Sequence, residues 1–188
     1  MYRILYNIPF WELCIGLFPC YTGWSWLRRR NLGSLLWKIC HGAALLLWLV
    51  LTLYMTLFSR ERGYGGMNLE PFWSYRLAFF EGSFDYFQEI YLNVLAFAIF
   101  GLIASELFQS RYWMVVLLAL ALSVGIEYLQ IVLDVGLAEF DDIFSNTLGT
   151  ILGVRVNYFS ERYIAAVIRV GKSWIKSLLR YLHRHTTE

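Results

Sequence analysis

Apolar and polar positions along this chain alternate in blocks rather than residue by residue. Four apolar runs stand out, at residues 39–58, 90–108, 112–132 and 143–159, each near the ~20 residues that cross a hydrocarbon core, the last somewhat short. A fifth run, from Ile4 to Leu27, is apolar enough but contains Pro9, Glu12 and Pro19; it either spans as a kinked helix or enters and returns. Arg3 makes a weak charged region and no small-residue cleavage site precedes Arg28, Arg29 and Arg30. This segment is therefore expected to stay on the mature chain and not to act as a cleaved signal peptide. From Glu161 to His185, Ile164, Ile168, Ile175, Leu178 and Leu182 follow one side of a helix, and Arg162, Arg169, Lys172, Lys176, Arg180 and Arg184 another. Such a helix suits an anionic inner leaflet, each surface cation contributing about 1 kcal/mol. The expected fold class is all-α, a polytopic helical membrane protein with four to five transmembrane helices over residues 1–160 and a basic amphipathic tail over 161–188.

Composition agrees with the pattern. The 188 residues are 59% hydrophobic and 19% aromatic, with a mean hydropathy of +0.51, which is more apolar surface than one soluble core of this size can bury. The net charge of +2 is small and its cations do not gather into a groove, which excludes nucleic acid as a partner. Twelve of the 16 cations sit on alternate loops: Arg28, Arg29, Arg30 and Lys38, then Arg111, then the tail from Arg155 onward. The opposite loops hold Glu61, Glu70, Glu81, Asp85 and Glu89, then Asp134, Glu139, Asp141 and Asp142. By the rule that cytoplasmic loops collect Lys and Arg, the C-terminus lies inside and the acidic loops outside. With five spans the N-terminus is outside; with four and a re-entrant start it is inside. Cys14, Cys20 and Cys40 form no CxxC pair and behave as small buried hydrophobes.

The acidic loop from Ser59 to Glu89 starts with the flexible Arg62-Gly63-Tyr64-Gly65-Gly66. It becomes aromatic from Trp73 onward, through Tyr75, Phe79, Phe80, Phe84, Tyr86 and Phe87, rings that settle at the headgroup layer, so the loop is expected to lie on the membrane or dip into it. The chemistry-bearing residues fall elsewhere. Ser123, Glu127, Gln130 and Asp134 are spaced i, i+4, i+7 and i+11, one face of a helix, and Asp142, Asn146, Gly149 and Gly153 repeat that spacing. A turn of about ten residues joins the two, so they should be antiparallel neighbours. Glu127 and Asn146 then lie roughly 5–7 Å below one membrane boundary at 1.5 Å per residue, with Asn93 at a similar level. Amide and hydroxyl groups at such places often serve only to join helices, at about 0.6–2 kcal/mol each, and Gly149-xxx-Gly153 favours close backbone contact. Glu127 needs more than that. An ionisable group at the bilayer centre costs about 2.5–3.5 kcal/mol and must find a partner or change protonation. The candidate ligand-binding set is Asn93, Ser123, Glu127, Gln130, Glu139, Asp141, Asp142 and Asn146.

The order Asn68-Leu69-Glu70-Pro71-Phe72, Asn93, Ser123-xxx-Glu127-xx-Gln130 and Glu139-Phe140-Asp141-Asp142-xxx-Asn146-xx-Gly149-xxx-Gly153 resembles the VanZ-like family over about residues 60–157. Asn68, Pro71, Phe72, Gly149 and Gly153 are the remaining motif positions. The turn before the motif acids often carries an arginine in that family; here Val135 stands in its place, so a charge partner is either missing or supplied by Arg60, Arg62 or Arg76. The resemblance implies a multi-pass protein of the bacterial cell membrane, similar to one associated with low-level resistance to the glycopeptide teicoplanin. Membrane lipids are its expected partners, with a lipid-linked cell-wall precursor or lipoglycopeptide as ligand, and a homo-oligomer is compatible with its small size.

Three functions compete. The first is a non-enzymatic protein that alters how a lipid-linked antibiotic or cell-wall precursor meets the outer leaflet. The second is an intramembrane hydrolase using Glu127, Asp141 and Asp142, around a divalent cation or as acid and base, although no serine nucleophile turn is present and His41, His183 and His185 fall at the cytoplasmic side. The third is a small transporter or a partner subunit, weakened by the lack of an inverted repeat. No cofactor and no dedicated metal site are expected.

Overall fold

The structure, a computed structural model, describes residues 34–59, 62–63, 65–108 and 111–185. The run from Ile4 to Leu27, the Arg28–Arg30 loop and Arg60 lie outside the described residues. Helix α1 (Ser34–Leu53) continues into a π-helical turn (Tyr54–Phe58). Strand β1 (Gly66–Asn68) and the short helix α2 (Trp73–Phe79) follow, then α3 (Phe84–Phe108), α4 (Tyr112–Leu133), strand β2 (Leu137–Glu139) and α5 (Phe140–His185). Residues 38–157 form one compact unit; the end of α5 beyond Asn157 belongs to another, in which the Arg162 guanidinium stacks 4.5 Å over the Tyr158 ring.

Among the described residues three helices are long and apolar enough to cross a membrane: Leu35–Phe58, Phe84–Phe108 and Tyr112–Leu133. They match three of the expected apolar runs. Leu46, Leu47 and Val50 of α1 and Leu117, Val124 and Val132 of α4 lie exposed, which in a soluble protein would be an aggregation surface and in a bilayer is the lipid face. The fourth apolar run, 143–159, is part of the longer α5, whose only break in helix propensity at its basic end is Gly171, a modest cost that leaves the helix continuous to His185.

Two differences from the expected pattern stand out. Helix α3 begins six residues before its apolar run, because Asp85 and Glu89 end the hydropathy signal without interrupting the backbone ladder. Strands β1 and β2 pair in parallel, Gly66 with Leu137, Met67 with Ala138 and Asn68 with Glu139, and tie the acidic loop to the turn before α5. Arg62 bridges Val135 beside them, and Asp134, in the left-handed conformation that ends α4, accepts the Gly65 N–H at 2.9 Å.

The core lies between α1, α3, α4 and α5. Trp48 donates its indole N–H to the Ala96 carbonyl at 2.8 Å and sets its ring against Phe97 and Phe100; Ala104, Val115, Ala119, Ile126 and Val154 complete the cluster. Helices α3 and α5 approach closest. A Cβ on Gly149 would strike the Val94 carbonyl, one on Gly153 the Ala98 carbonyl, and one on Gly101 the Thr150 carbonyl. The Gly149-xxx-Gly153 pair thus lets two backbones meet, as small residues do in membranes.

Candidate functional site

The glycine seam is bracketed by two amide clasps. At one end Asn93 of α3 donates to Asp142 Oδ1 at 2.7 Å; at the other Asn157 of α5 donates to Ser105 Oγ at 2.6 Å. Helices α4 and α5 run antiparallel, as expected. Asn146 donates to Ser123 Oγ at 2.8 Å, and one helical turn nearer the β2 end Glu127 Oε2 accepts the Glu139 N–H at 2.9 Å. This register sets Ser123 level with Asn146 and Glu127 level with the start of α5. Ser123, Glu127, Gln130, Glu139, Asp142 and Asn146 are all buried.

Asp141 faces the other way, toward α2. Its Oδ1 accepts the Phe72 N–H at 2.6 Å, and its Oδ2 accepts the Ser74 N–H at 2.8 Å and the Ser74 hydroxyl at 2.6 Å. Phe72 is the residue that caps α2, held at φ 61°, ψ 24°, a conformation costing an ordinary side chain of order 1–3 kcal/mol. A carboxylate 69 positions away therefore does what a local Ser or Asp does at most helix starts. The motif residues before it also have structural duties. Asn68 accepts the Glu70 N–H on its own side chain, closing a turn that Pro71 and Phe72 complete. Next to Asp141, the Tyr75 hydroxyl meets Ser145 Oγ at 2.8 Å.

The candidate set is thus brought together at one end of the bundle, but as two groups. Asn93, Asp142, Asn146, Ser123, Glu127 and Glu139 lie along the α3–α4–α5 contact; Gln130 donates instead to the Thr56 carbonyl of the π-helical turn at 3.4 Å, and Asp141 is engaged by the α2 strap. Of the two described arginines offered as charge partners for the turn acids, Arg76 pairs with Glu70 at 3.0 Å on the surface and Arg62 is exposed. Ser74, Ser145 and the Glu139 N–H were not singled out from sequence. Ser145 sits one turn from Asp141 on the same helix face, a signal that was there; a backbone N–H leaves none.

One end of the Gln130 carboxamide and one end of the Asn146 carboxamide are buried with no hydrogen-bond partner among the described residues. An unmatched buried polar group costs about 1–3 kcal/mol, so the arrangement suits a water or a ligand with complementary groups. Among the described residues no group of three His, Cys, Asp or Glu side chains could hold a metal ion.

The place of Tyr75 in the α2 strap shifts its hydroxyl. Burial pushes its hydroxyl above the ordinary 10.0, with Asp141 and Asp142 adding to the rise and the Ser145 hydrogen bond opposing it. The neutral phenol is the form the fold favours, so its stabilisation is complete below pH 10 and is lost as pH rises through the raised value. Subtracting the alkaline 295 nm titration of Tyr75→Phe from that of the intact protein should leave one phenol titrating above pH 10.

A helical protein with, among the described residues, three helices long and apolar enough to cross a membrane and a buried polar cluster at one end is the class these features define. The chain belongs to the VanZ/LLP1 family, whose family model matches residues 42–160, a span that holds every candidate site residue. Neither curated proteins nor solved structures give a match to the chain.

Proposed function

We propose that this VanZ-like protein uses the polar end of its bundle to engage the headgroup of a lipid-linked cell-wall precursor or lipoglycopeptide, and so alters how such a molecule meets the outer leaflet of a bacterial cell membrane. The carrying observation is the pair of incompletely matched carboxamides, Gln130 and Asn146, beside Glu127 and Asp142 in a buried layer. The layer is rich in hydrogen-bond acceptors and, among the described residues, includes no buried lysine or arginine, which favours a ligand bearing hydroxyl or amide donors. The Lys and Arg distribution supports an outward-facing layer and a cytoplasmic C-terminus, with the first part of α5 as a further crossing. Resistance to teicoplanin is the phenotype this reading favours. Glu127→Gln and Asp142→Asn should each lower resistance conferred by the expressed protein while its membrane abundance stays constant; resistance surviving both substitutions removes the site from the account.

A second reading is hydrolysis of the same kind of molecule, favoured by the burial of Glu127, Glu139 and Asp142 on adjoining levels, where carboxyl groups can exchange protons with a bound substrate. Purified protein in lipid discs separates the two. Release of a product from a lipid-linked substrate, lost in Glu127→Gln, favours the enzyme, and binding without product favours the first reading.

A further inference from the structure

The α2 strap carries a surface that the polar site does not use. Ser74 and Ala78 turn inward and are buried, while Phe79 and Phe80 project outward, 61% and 87% exposed, and Phe84 at the start of α3 is 65% exposed. Phe72 packs its ring edge-on to Phe144 at 5.2 Å and near Phe140 at 6.5 Å, and Phe79 meets Phe87 at 5.8 Å. Phe140 and Phe144 begin an exposed stripe of α5 that continues through Leu148 and Ile151 at helical spacing. The aromatic patch is thus continuous with an apolar face of the bundle. Arg76 and Glu70, paired on the strap, supply its polar side.

Length fixes the level of this patch. Helix α3 has 25 residues, about 37 Å at 1.5 Å per residue, whereas the hydrocarbon core is ~30 Å thick. The surplus turn lies at an interface, and its first residues, Phe84 to Gln88, are those against the strap. Aromatic rings are the side chains that favour that layer.

We propose that the α2 strap is an interfacial element, with Phe79, Phe80 and Phe84 inserted among the lipids of the same leaflet that the polar end faces, and with Asp141 holding it there. Its partner is the bilayer and not a second protein, because Tyr75 stacks on Phe79 and meets Phe144, so that the patch runs into the apolar stripe of α5. This goes beyond the headgroup reading and does not depend on it, since an empty or differently occupied polar site would leave the strap in place. It also sets the Tyr75–Ser145 pair beside the lipid headgroups, so that a ligand would reach the polar layer sideways from the leaflet.

The test is a nitroxide scan of the full-length protein, with Cys14, Cys20 and Cys40 replaced by serine, in phosphatidylcholine–phosphatidylglycerol vesicles. Labels at Phe80→Cys and Phe84→Cys should be relaxed more by dissolved oxygen than by a water-soluble nickel chelate, and a label at Arg76→Cys more by the chelate. Chelate exceeding oxygen at both phenylalanine positions would put the patch in water, and protection from both agents would mean that another copy covers it. Either result overturns the proposal. Because Phe80 is so exposed, its replacement should leave the fold intact, and Phe84→Cys reports independently.

Discussion

Asp141→Ala should detach the α2 strap and lower the stability of the folded protein more than replacing any other acidic side chain of the loops. Three donors lose their acceptor at once: the Phe72 and Ser74 N–H groups and the Ser74 hydroxyl. Ser74 is buried, so its groups cannot turn to water, and Phe72 stays in a left-handed conformation without the carboxylate that accepts its N–H. With hydrogen bonds to charged groups contributing about 1.5–3 kcal/mol each, and part of the loss recovered as the strap relaxes, the expected cost is about 3–5 kcal/mol. Asp141→Asn keeps one acceptor oxygen but points an amide donor at donors, so it should recover little. Asp134 provides the comparison. It is exposed and accepts one N–H, from Gly65, so Asp134→Ala should cost only about 1 kcal/mol. Unfolding of detergent-purified variants in increasing dodecyl sulfate gives the ranking; equal midpoints for Asp141→Ala and Asp134→Ala would contradict it.

The second large effect has opposite signs at different glycines. At Gly149 and Gly153 an added methyl meets backbone carbonyl oxygens of α3, and backbone cannot swing aside as a side chain end can. Gly149→Ala and Gly153→Ala should each destabilise by about 1–3 kcal/mol, and leucine at either place should force the helices apart and remove folded protein from the membrane. Gly125 of α4 is helical too, but nothing lies within 4 Å of a Cβ built there. Gly125→Ala should therefore stabilise, by about 0.5–1 kcal/mol, through reduced freedom of the unfolded chain. The same chemical change thus separates packing from propensity. Should Gly149→Ala and Gly153→Ala stabilise as Gly125→Ala does, the close approach of α3 and α5 is wrong.

Much of this arrangement was legible from residue spacing. Ser123, Glu127 and Gln130 had to share a face, a short turn had to return α5 beside α4, and the Gly149-xxx-Gly153 step had to admit a neighbouring backbone. Helical periodicity carries that information because it is local and repeats. The strap was not legible in the same way. Gly66-Met67-Asn68 is too short to display the alternation of a strand, and its partner Leu137-Ala138-Glu139 lies about seventy residues on. The role of Asp141 is equally non-local: next to Asp142 in sequence, it points to another element because consecutive helical residues diverge by about 100°. The two acids of one motif consequently do different work, one anchoring the strap and the other facing Asn93. The start of α3 at Phe84 was hidden for another reason, since a helix can leave the hydrocarbon before its backbone ladder ends.

The account depends on α4 and α5 meeting in one register, so that Ser123 faces Asn146 and Glu127 faces the Glu139 N–H across a shared buried layer. Disulfide trapping in native membranes tests this directly, using a chain whose three natural cysteines are replaced by serine and which carries Ser123→Cys with Asn146→Cys. The pair is predicted to cross-link readily under mild oxidation, while Val124→Cys with Asn146→Cys, which turns one cysteine to the exposed face of α4, should not. Equal cross-linking of the two pairs, or none in the first, would contradict the register and with it the polar layer.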